Sequence, residues 1–301
     1  MTAAVFTLAR DRPQAEALAA ALGVPTFALD LHRFPDGEIA LTLGGAAEVA
    51  LLHLPLDRPN DKLVALALAA EALRRTGTRR IVLVAPYLCY MRQDVAFTPG
   101  QAVSQKAIGR LIAGLVDRVV TVDAHLHRTH EIGLVFPGIA AENLAAGPAV
   151  AAALAADRLD PATVVVGPDV ESEPLVAALA ARLGLAHAVG RKTRRGDRSV
   201  EIAFADPAVL AGRPALVIDD VVSSGGTLVT VAEALRAAGA TRVDAVVTHA
   251  LYPPETAARF AAAGIGRIRS TTSVPHPSNA VSLVPLLAEA LRAEIGEEAT
   301  S

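Results

Sequence analysis

The sequence predicts an α/β protein made of two similar domains whose sheets are mainly parallel. Short β-branched runs alternate with Ala- and Leu-rich helical segments along the 301 residues, which is the pattern of α/β folds. The predicted strands are apolar throughout, as expected for parallel strands that are buried on both faces. The halves also resemble each other, since VLVAPY at 82–87 matches VVVGPD at 164–169. We predict domains 1–144 and 145–301, with the last helix a candidate to pack back on the first domain.

The individual elements follow from β-branched runs and from helix start and stop signals. The predicted strands are VALLHL (49–54), RIVLVA (80–85), RVVTVD (118–123), TVVVG (163–167), ALVID (215–219) and RVDAVVTH (242–249). Asn60 can cap a helix that stops near Gly77, and the helices at 171–183 and 227–238 end before a glycine. In such sheets ligands bind at the carboxyl ends of the strands, so polar residues that follow a strand are candidate site residues.

Composition and charge argue against several classes of function. A net charge of −3 and the absence of tryptophan do not fit a dedicated nucleic-acid-binding protein. The longest apolar stretch, at 145–156, is too short to span a membrane and is interrupted by Gly147 and Pro148. The single cysteine cannot form an internal disulfide, and the first residues lack a signal-peptide pattern. We therefore expect a cytoplasmic protein with neither nucleic acid nor a membrane as its partner.

The most informative segment is LVIDDVVSSGGTLVTVAEAL at 216–235. Asp219 and Asp220 end a predicted strand, and a run of small residues then leads into a helix; that run is Ser223, Ser224, Gly225, Gly226 and Thr227. Converging backbone N–H groups and the positive end of the helix dipole form an anion-binding site. The two acids would accept hydrogen bonds from sugar hydroxyls or hold a metal-bound water. A ribose 5-phosphate group satisfies both features, whereas helix capping alone leaves the acids unexplained.

Two polar segments in the first half indicate a ligand site less specifically than the segment at 216–235. The segment RFPDGEI at 33–39 is either an ordinary hairpin turn or a ligand-binding loop. Arg92, Gln93 and Asp94 follow a predicted buried strand and suit polyphosphates and purine edges. Exposed loops collect the same residue types, so both interpretations stay open.

The segment TVDAHLHRTHE at 121–131 contains three histidines after a strand. His125, His127 and His130 could suggest zinc, but the further ligands that such a site needs do not occur at a recognisable spacing. An acid and a histidine at a strand end, Asp123 and His125, can instead hold the magnesium and phosphates of a nucleotide.

Two segments of the second half carry further candidates. Asp169 follows a predicted strand and either caps the next helix or binds a ligand. The basic segment GRKTRRGDRSVEI at 190–202 contains Lys192, one of only three lysines. Lys192 and Arg194 project to the same side of an extended chain, so a mobile arm could close both cations over a polyphosphate. The alternative is a solvated basic surface.

The pattern of 216–227, a hydrophobic run followed by DD-x-x-S-S-x-G-T, resembles the phosphoribosyl-binding loop of type I phosphoribosyltransferases and of ribose-phosphate pyrophosphokinases. RFPDGE, PYxxYxRQD, VDAH, GPD and a K-x-R arm occur in the order of the pyrophosphokinases, so the resemblance to them covers essentially the whole chain. It implies two phosphoribosyltransferase-type, Rossmann-like domains related by pseudo-twofold symmetry. It also implies that, with Mg2+, the pyrophosphoryl group of ATP is transferred to the 1-hydroxyl of ribose 5-phosphate. The products would be phosphoribosyl pyrophosphate and AMP, for nucleotide biosynthesis.

The resemblance implies roles at the sugar and at the reacting phosphate. Asp219 and Asp220 would bind the ribose hydroxyls, and residues 223–227 would bind the 5-phosphate. Lys192 and Arg194 match the catalytic lysine and arginine of a flexible loop in the family.

The resemblance also implies an ATP site and a metal site. His125 and Asp169 would hold magnesium, with Asp123 in support. The ATP contacts would come from His125 and from Arg92, Gln93 and Asp94, and from Phe34, Asp36 and Glu38 of a neighbouring subunit. We therefore expect a homo-oligomer, a dimer or larger, with the ATP site near a subunit interface.

Departures from the common family pattern leave these groups intact. Ser223 stands where widespread members have Asp, and Val-Glu-Ser follows Asp169 in place of a glycine pair. Val95 and Ala96 follow RQD where basic residues are common. These features resemble the archaeal-type or divergent bacterial branch and bear on regulation by ADP or phosphate, on assembly and on the choice of donor.

Two other functions stay open on the sequence. A noncatalytic synthetase-associated regulator would keep the fold but tends to lose catalytic residues, whereas Lys192, Arg194, His125 and Arg92 are all present. A phosphoribosyltransferase that consumes phosphoribosyl pyrophosphate would not need the ATP-type motifs of the first half. An active pyrophosphokinase is the favoured hypothesis.

Overall fold

A computed structural model of the protein describes residues 2–126, 128–157, 159–195 and 199–296. Within these ranges the side chains of residues 192–195 and 199–201 are not described. The chain forms two compact units. Unit 1 comprises the segment up to Ala145, residues 273–275 and the segment from Leu283 onward. Unit 2 comprises Ala146–Thr272 and His276–Ser282.

Each unit contains a sheet of seven strands within the described ranges. Those of unit 1 are β1 (Ala3–Thr7), β2 (Thr26–Arg33), β3 (Ile39–Leu43), β4 (Val49–His53), β5 (Arg80–Ala85), β6 (Arg118–Val122) and β7 (Ala140–Leu144). Those of unit 2 are β8 (Val164–Gly167), β9 (Ala186–Arg195), β10 (Ser199–Phe204), β11 (Pro214–Val222), β12 (Arg242–Ala250), β13 (Ile265–Thr271) and β14 (Asn279–Val281). The six predicted strands are confirmed as β4, β5, β6, β8, β11 and β12. The other eight strands of the described ranges were not predicted.

The helices are α1 (Arg12–Leu22), α2 (Pro59–Arg75), α3 (Ser104–Ala113), α4 (Gly147–Ala156), α5 (Glu173–Leu183), α6 (Gly226–Ala237), α7 (Thr256–Ala262) and α8 (Val284–Leu291). The predicted helices correspond to α2, α5 and α6. Helix α5 ends at Gly184, whose φ of 66° is the left-handed conformation that favours glycine after a helix. Among the described residues, no helix combines the length and the apolar character needed to cross a bilayer.

The two sheets have the same strand order. Unit 1 has the order β3-β2-β1-β4-β5-β6-β7, and unit 2 has the order β10-β9-β8-β11-β12-β13-β14. In each sheet the outermost hairpin, β2–β3 or β9–β10, is antiparallel and the other pairs are parallel. The predicted α/β class with mainly parallel sheets is therefore confirmed. By this order β1 corresponds to β8, β4 to β11, β5 to β12 and β6 to β13.

Apolar side chains on both faces of the central strands form the core of each unit. All five residues of β4 are buried, as expected for a strand covered on both sides. Helix α8 packs on α1 in unit 1, and α4 packs on α5 in unit 2. Burial of this apolar surface holds each sheet and its helices together.

The strand order creates a crevice at the carboxyl ends of β8 and β11. After β8 the chain continues to β9, which lies on one side of β8, whereas β11 lies on the other side of β8 and is followed by β12, still further from it. The connections that follow β8 and β11 therefore run in opposite directions. The pairing of Val166 with Val217 places Asp219 and Asp220 level with the residues that follow β8. The acid pair and the small-residue run therefore lie at the usual ligand-binding edge.

Candidate functional site

The acid pair lies on β11, which continues to Val222 rather than ending at Asp219 as predicted. The N–H of Asp220 donates to Asp219 Oδ1 at 3.0 Å, and the N–H of Val221 donates to Asp220 Oδ1 at 2.7 Å. Burial raises the pKa of Asp219, and the negative charges of Asp220 and Asp169 raise it further. The negative charges of three carboxylates therefore lie close together at this edge, which favours the binding of a cation or of hydroxyl donors there.

Asp169 is the N-cap residue of a short 3-10 helix, Val170–Ser172, so the capping interpretation describes its backbone correctly. Its N–H donates to Ser172 Oγ at 3.4 Å, and Ser172 Oγ donates to the Asp169 carbonyl at 2.5 Å. A Cβ at Gly167 would lie 2.2 Å from Ser172 Oγ. Glycine at 167 thus permits the tight turn that sets Asp169 beside β11.

The small-residue run forms a loop, residues 223–225, that leads into the amino terminus of α6. Ser223, Ser224 and Thr227 are exposed, and the first N–H groups of an α-helix have no acceptor within the helix. Gly225 has φ of 75°, and a Cβ there would lie 2.4 Å from the ring of the buried Phe260. Both facts require glycine at position 225, and the close packing against Phe260 fixes the course of the loop.

Sequence reasoning missed one cation beside this loop. Arg259 on α7 donates from Nη1 to the carbonyl of Ser224 at 3.5 Å. Because this hydrogen bond is long, Arg259 contributes mainly a positive charge near the loop. Arg259 lies 35 positions after Ser224 in the sequence, so no local pattern predicts this contact.

The basic segment forms a β-hairpin rather than a loop between strands. In the β9–β10 hairpin Lys192 pairs with Ile202, and Arg194 pairs with Val200. Strand β9 last pairs with β8 at Val189, so the residues from Gly190 to Arg195 extend roughly 20 Å beyond the end of β8. The backbones of Lys192 and Arg194 therefore project past the carboxyl edge, while their side chains lie outside the described residues.

In unit 1 the RFPDGEI segment forms the turn of the β2–β3 hairpin, as the simpler of its two interpretations predicts. The N–H of Phe34 donates to the Glu38 carbonyl at 2.9 Å, and the N–H of Glu38 donates to Asp36 Oδ1 at 3.1 Å. Gly37 has φ of 95° at the tip. All three predicted ATP contacts are exposed, with 41% of Phe34 accessible, so they remain accessible to a ligand.

The Arg92–Asp94 segment follows β5 and joins the segment that follows β6. Arg128 donates from Nη1 to Asp94 Oδ1 at 2.8 Å and from its N–H to Oδ2 at 3.2 Å. Burial alone would raise the pKa of Asp94, but these contacts outweigh burial and lower it. Gln93 accepts a hydrogen bond from Ser104, and Arg92 is exposed. Asp94 therefore holds the two segments together, and Arg92 faces solvent.

The histidine segment begins with Asp123, whose φ of 38° turns the chain sharply after β6. The N–H of Ala124 donates to Asn143 Oδ1 at 2.8 Å, and His125 is half-buried. His130 is exposed, and His127 lies outside the described residues. Across the part of the chain that the structure describes, no three His, Cys, Asp or Glu side chains converge as ligands of one metal ion.

In unit 1 an ion-pair cluster lies at the position equivalent to residues 223–227. There, after β4, Lys62 Nζ donates to Asp57 Oδ1 at 2.6 Å, to the Pro55 carbonyl at 2.6 Å and to Asp11 Oδ2 at 3.3 Å. Arg10 also pairs with Asp57 at 2.7 Å. Lys62 is buried in this ion-pair cluster. The shared strand order thus does not produce two equivalent anion sites.

Family models match both halves of the chain. Residues 3–115 match the N-terminal domain of ribose phosphate pyrophosphokinase, and residues 140–259 match the phosphoribosyl transferase domain. The chain is 33% identical to a ribose-phosphate pyrophosphokinase of Methanopyrus kandleri over 86% of this chain and 88% of the relative. It is also 33% identical to one of Agrobacterium fabrum over 99% and 98% of the two chains. The crystal structure of phosphoribosylpyrophosphate synthetase from Mycobacterium smegmatis is 25% identical, has a TM-score of 0.84 and covers 98% of this chain and 99% of its own.

Proposed function

The chain belongs to the ribose-phosphate pyrophosphokinase family, and we propose that it performs the family reaction through the residues described above. It is a pyrophosphoryl transferase that makes phosphoribosyl pyrophosphate from ATP and ribose 5-phosphate. One observation carries the assignment of the sugar site. The acid pair of β11 and the anion-binding loop before α6 lie at the same edge of unit 2.

Ribose 5-phosphate binds with its two ends on different elements in this proposal. The 5-phosphate accepts hydrogen bonds from residues 223–227 and from the first N–H groups of α6, where the helix dipole is positive. Asp219 and Asp220 accept hydrogen bonds from the ribose hydroxyls. Hydroxyl donors would offset the burial, and the repulsion by Asp220 and Asp169, that raise the pKa of Asp219.

ATP binds in this proposal at the segments that follow β5 and β6. Arg92 contacts the phosphates, Gln93 and His125 line the site, and Asp94 acts through its ion pair with Arg128. Phe34, Asp36 and Glu38 complete the ATP site from a second copy of the chain. The exposed tip of the β2–β3 hairpin supports this part, because an interface would cover Phe34. A homo-oligomer in sedimentation velocity is the result expected, and a monomer at catalytic concentrations would exclude shared sites.

The metal of this proposal is Mg2+. Asp169 in unit 2 would contribute a carboxylate to it together with substrate phosphates, and His125 in unit 1 is the further ligand that the family resemblance implies. The residues fit this ion, since Mg2+ is usually bound by one or two carboxylates and by phosphate oxygens rather than by a closed protein cage. The strand register is the structural observation that supports a cation here, because it places Asp219 and Asp220 level with Asp169 at one edge of the unit 2 sheet. Bound Mg2+ would neutralise charge on the transferred group.

The protein aligns and stabilises the reacting groups in the proposed mechanism. The 1-hydroxyl oxygen of ribose 5-phosphate attacks the β-phosphorus of ATP and its proton passes to solvent. The bond from that phosphorus to the bridging oxygen of the α-phosphate breaks, and AMP leaves with that oxygen. Displacement at phosphorus requires in-line positioning and charge stabilisation rather than a protein nucleophile. Lys192 and Arg194 supply positive charge from the β9–β10 hairpin. Its extension beyond the end of β8 supports this role.

A coupled assay for AMP formation tests the proposal. Purified protein is incubated with Mg2+, ATP and ribose 5-phosphate, and each component is omitted in turn. AMP that depends on all components, with phosphoribosyl pyrophosphate identified as product, is the expected result. Binding of either substrate without turnover would favour a noncatalytic regulator. Transfer to a free base without ATP would favour a phosphoribosyltransferase.

A further inference from the structure

The amino-terminal edge of the unit 2 sheet, opposite the edge that carries the phosphate loop, contains a cavity of about 450 Å³. This volume lies within the range of small-molecule sites. Arg242 on β12 and Arg267 on β13 line it together with Asp157 and Asp244. We propose that the cavity binds a small organic anion, a carboxylate or a phosphate monoester, between the guanidinium groups of Arg242 and Arg267.

The strand register makes this arginine pair equivalent to a pair in unit 1. Arg80 is the first residue of β5, and Arg118 on β6 pairs with the residue two positions after Arg80. Arg242 is the first residue of β12, and Arg267 on β13 pairs with the residue two positions after Arg242. Since β5 corresponds to β12 and β6 to β13, the two pairs occupy the same topological position.

In unit 1 a carboxylate occupies the position between the two arginines. Glu294, which follows α8, accepts from Arg80 Nη2 at 2.8 Å and from Arg118 Nη1 at 2.9 Å, and Arg80 Nε also donates to it. Only 7% of the Glu294 side chain is exposed. The protein thus already shows that this arrangement of arginines binds a buried carboxylate.

In unit 2 no described carboxylate bridges the pair. The helix equivalent to α8 by its packing, α4, is followed by the shorter Asp157, which pairs with Arg269 and lies 3.8 Å from Arg267. Arg242 pairs instead with Asp244 at 2.8 Å. The side chains of Arg242 and Arg267 are 62% and 55% exposed, so N–H groups of both remain accessible from the cavity.

The arginine side chains that line the cavity have more hydrogen-bond donors than the protein itself uses. Three arginines face three aspartates, so formal charge is balanced, but each guanidinium has five N–H donors in a fork that suits carboxylate and phosphate. The buried Asp244 Oδ1 accepts no hydrogen bond from the described residues. The expected ligand therefore carries an anionic group that the exposed guanidinium groups can bind.

Isothermal titration calorimetry with the full chain tests the site. L-malate probes a hydroxylated carboxylate, and glycerol 3-phosphate probes a hydroxylated phosphate monoester. We expect saturable binding of at least one probe, and which one binds identifies the anionic group. Arg242→Gln and Arg267→Gln should each weaken that binding at least tenfold, because each removes charge-assisted hydrogen bonds. Arg182→Gln, at an exposed position of α5, is the matched control and should leave affinity unchanged.

The variants also separate this site from the phosphate loop, since glycerol 3-phosphate bound at the loop would be insensitive to both cavity substitutions. Far-UV circular dichroism confirms that each variant is folded. Absence of binding for both probes, or equal affinity in the wild type and both cavity variants, would overturn the proposal. A crystal structure with a second copy of the chain seated in the cavity would also overturn it.

Discussion

Replacement of Gly225 by alanine tests how packing shapes the phosphate loop. The residue has φ of 75°, and the added Cβ would lie 2.4 Å from Phe260 Cε1. Phe260 is 1% exposed and packs edge-on against Tyr252 at 5.0 Å, so its ring has little room to move. The substitution should therefore both strain the backbone and displace the loop.

The expected cost has two parts. A non-glycine residue in the left-handed region costs about 1–2 kcal/mol. Forcing an extra methyl group into a packed core costs about 1–3 kcal/mol. The free energy of unfolding should therefore fall by about 2–5 kcal/mol, and displaced N–H groups should raise KM for ribose 5-phosphate.

Gly184→Ala is the matched control in the same unit. Gly184 has a similar φ of 66° but nothing within 4 Å of an added Cβ, so only the backbone cost should appear. Urea unfolding followed by far-UV circular dichroism measures both variants, since the chain has no tryptophan. Equal destabilisation of Gly225→Ala and Gly184→Ala, with KM unchanged, would refute the role of Phe260 in shaping the loop.

Four other predictions address catalysis, binding and stability. Lys192→Ala should lower kcat by about 10²–10³ with little change in KM for ribose 5-phosphate, and equal loss in both would contradict a transition-state role. Asp220→Asn should weaken binding of ribose 5-phosphate in calorimetry, whereas unchanged affinity would argue against the hydroxyl contact. Arg128→Ala should raise KM for ATP alone, because it frees Asp94; a parallel rise for ribose 5-phosphate would indicate general disruption. Burial, with help from the charge of Lys62, lowers the pKa of His53 from 6.5 to about 4. Between these values the unfolded chain binds a proton that the folded chain does not, so the free energy of unfolding should fall as pH is lowered through that window. His53→Gln should reduce the dependence of the free energy of unfolding on pH in this window. An unchanged pH dependence would show that other groups cause it.

The candidate site shows which contacts a sequence pattern can predict. The small-residue run from Ser223 to Thr227 identified its loop because both the conformation and the chemistry are local. Asp94 was harder to interpret, because its partner Arg128 lies 34 positions away and no local pattern predicts the ion pair between them. The basic segment was expected to be a loop, but pairing with β10 extends β9 through Lys192 and Arg194.

The sequence by itself determined the α/β class, six of the strands and the loop of small residues before α6, because hydrophobic periodicity and turn chemistry act over short distances. The tertiary structure decided that the equivalent position of unit 1 holds a buried cluster in which Lys62 pairs with Asp11 and Asp57. It also decided that Glu294 bridges two arginines in unit 1 while a cavity remains in unit 2. These outcomes depend on side chains that are distant in the sequence, and only the packed sheets and helices bring them within contact distance.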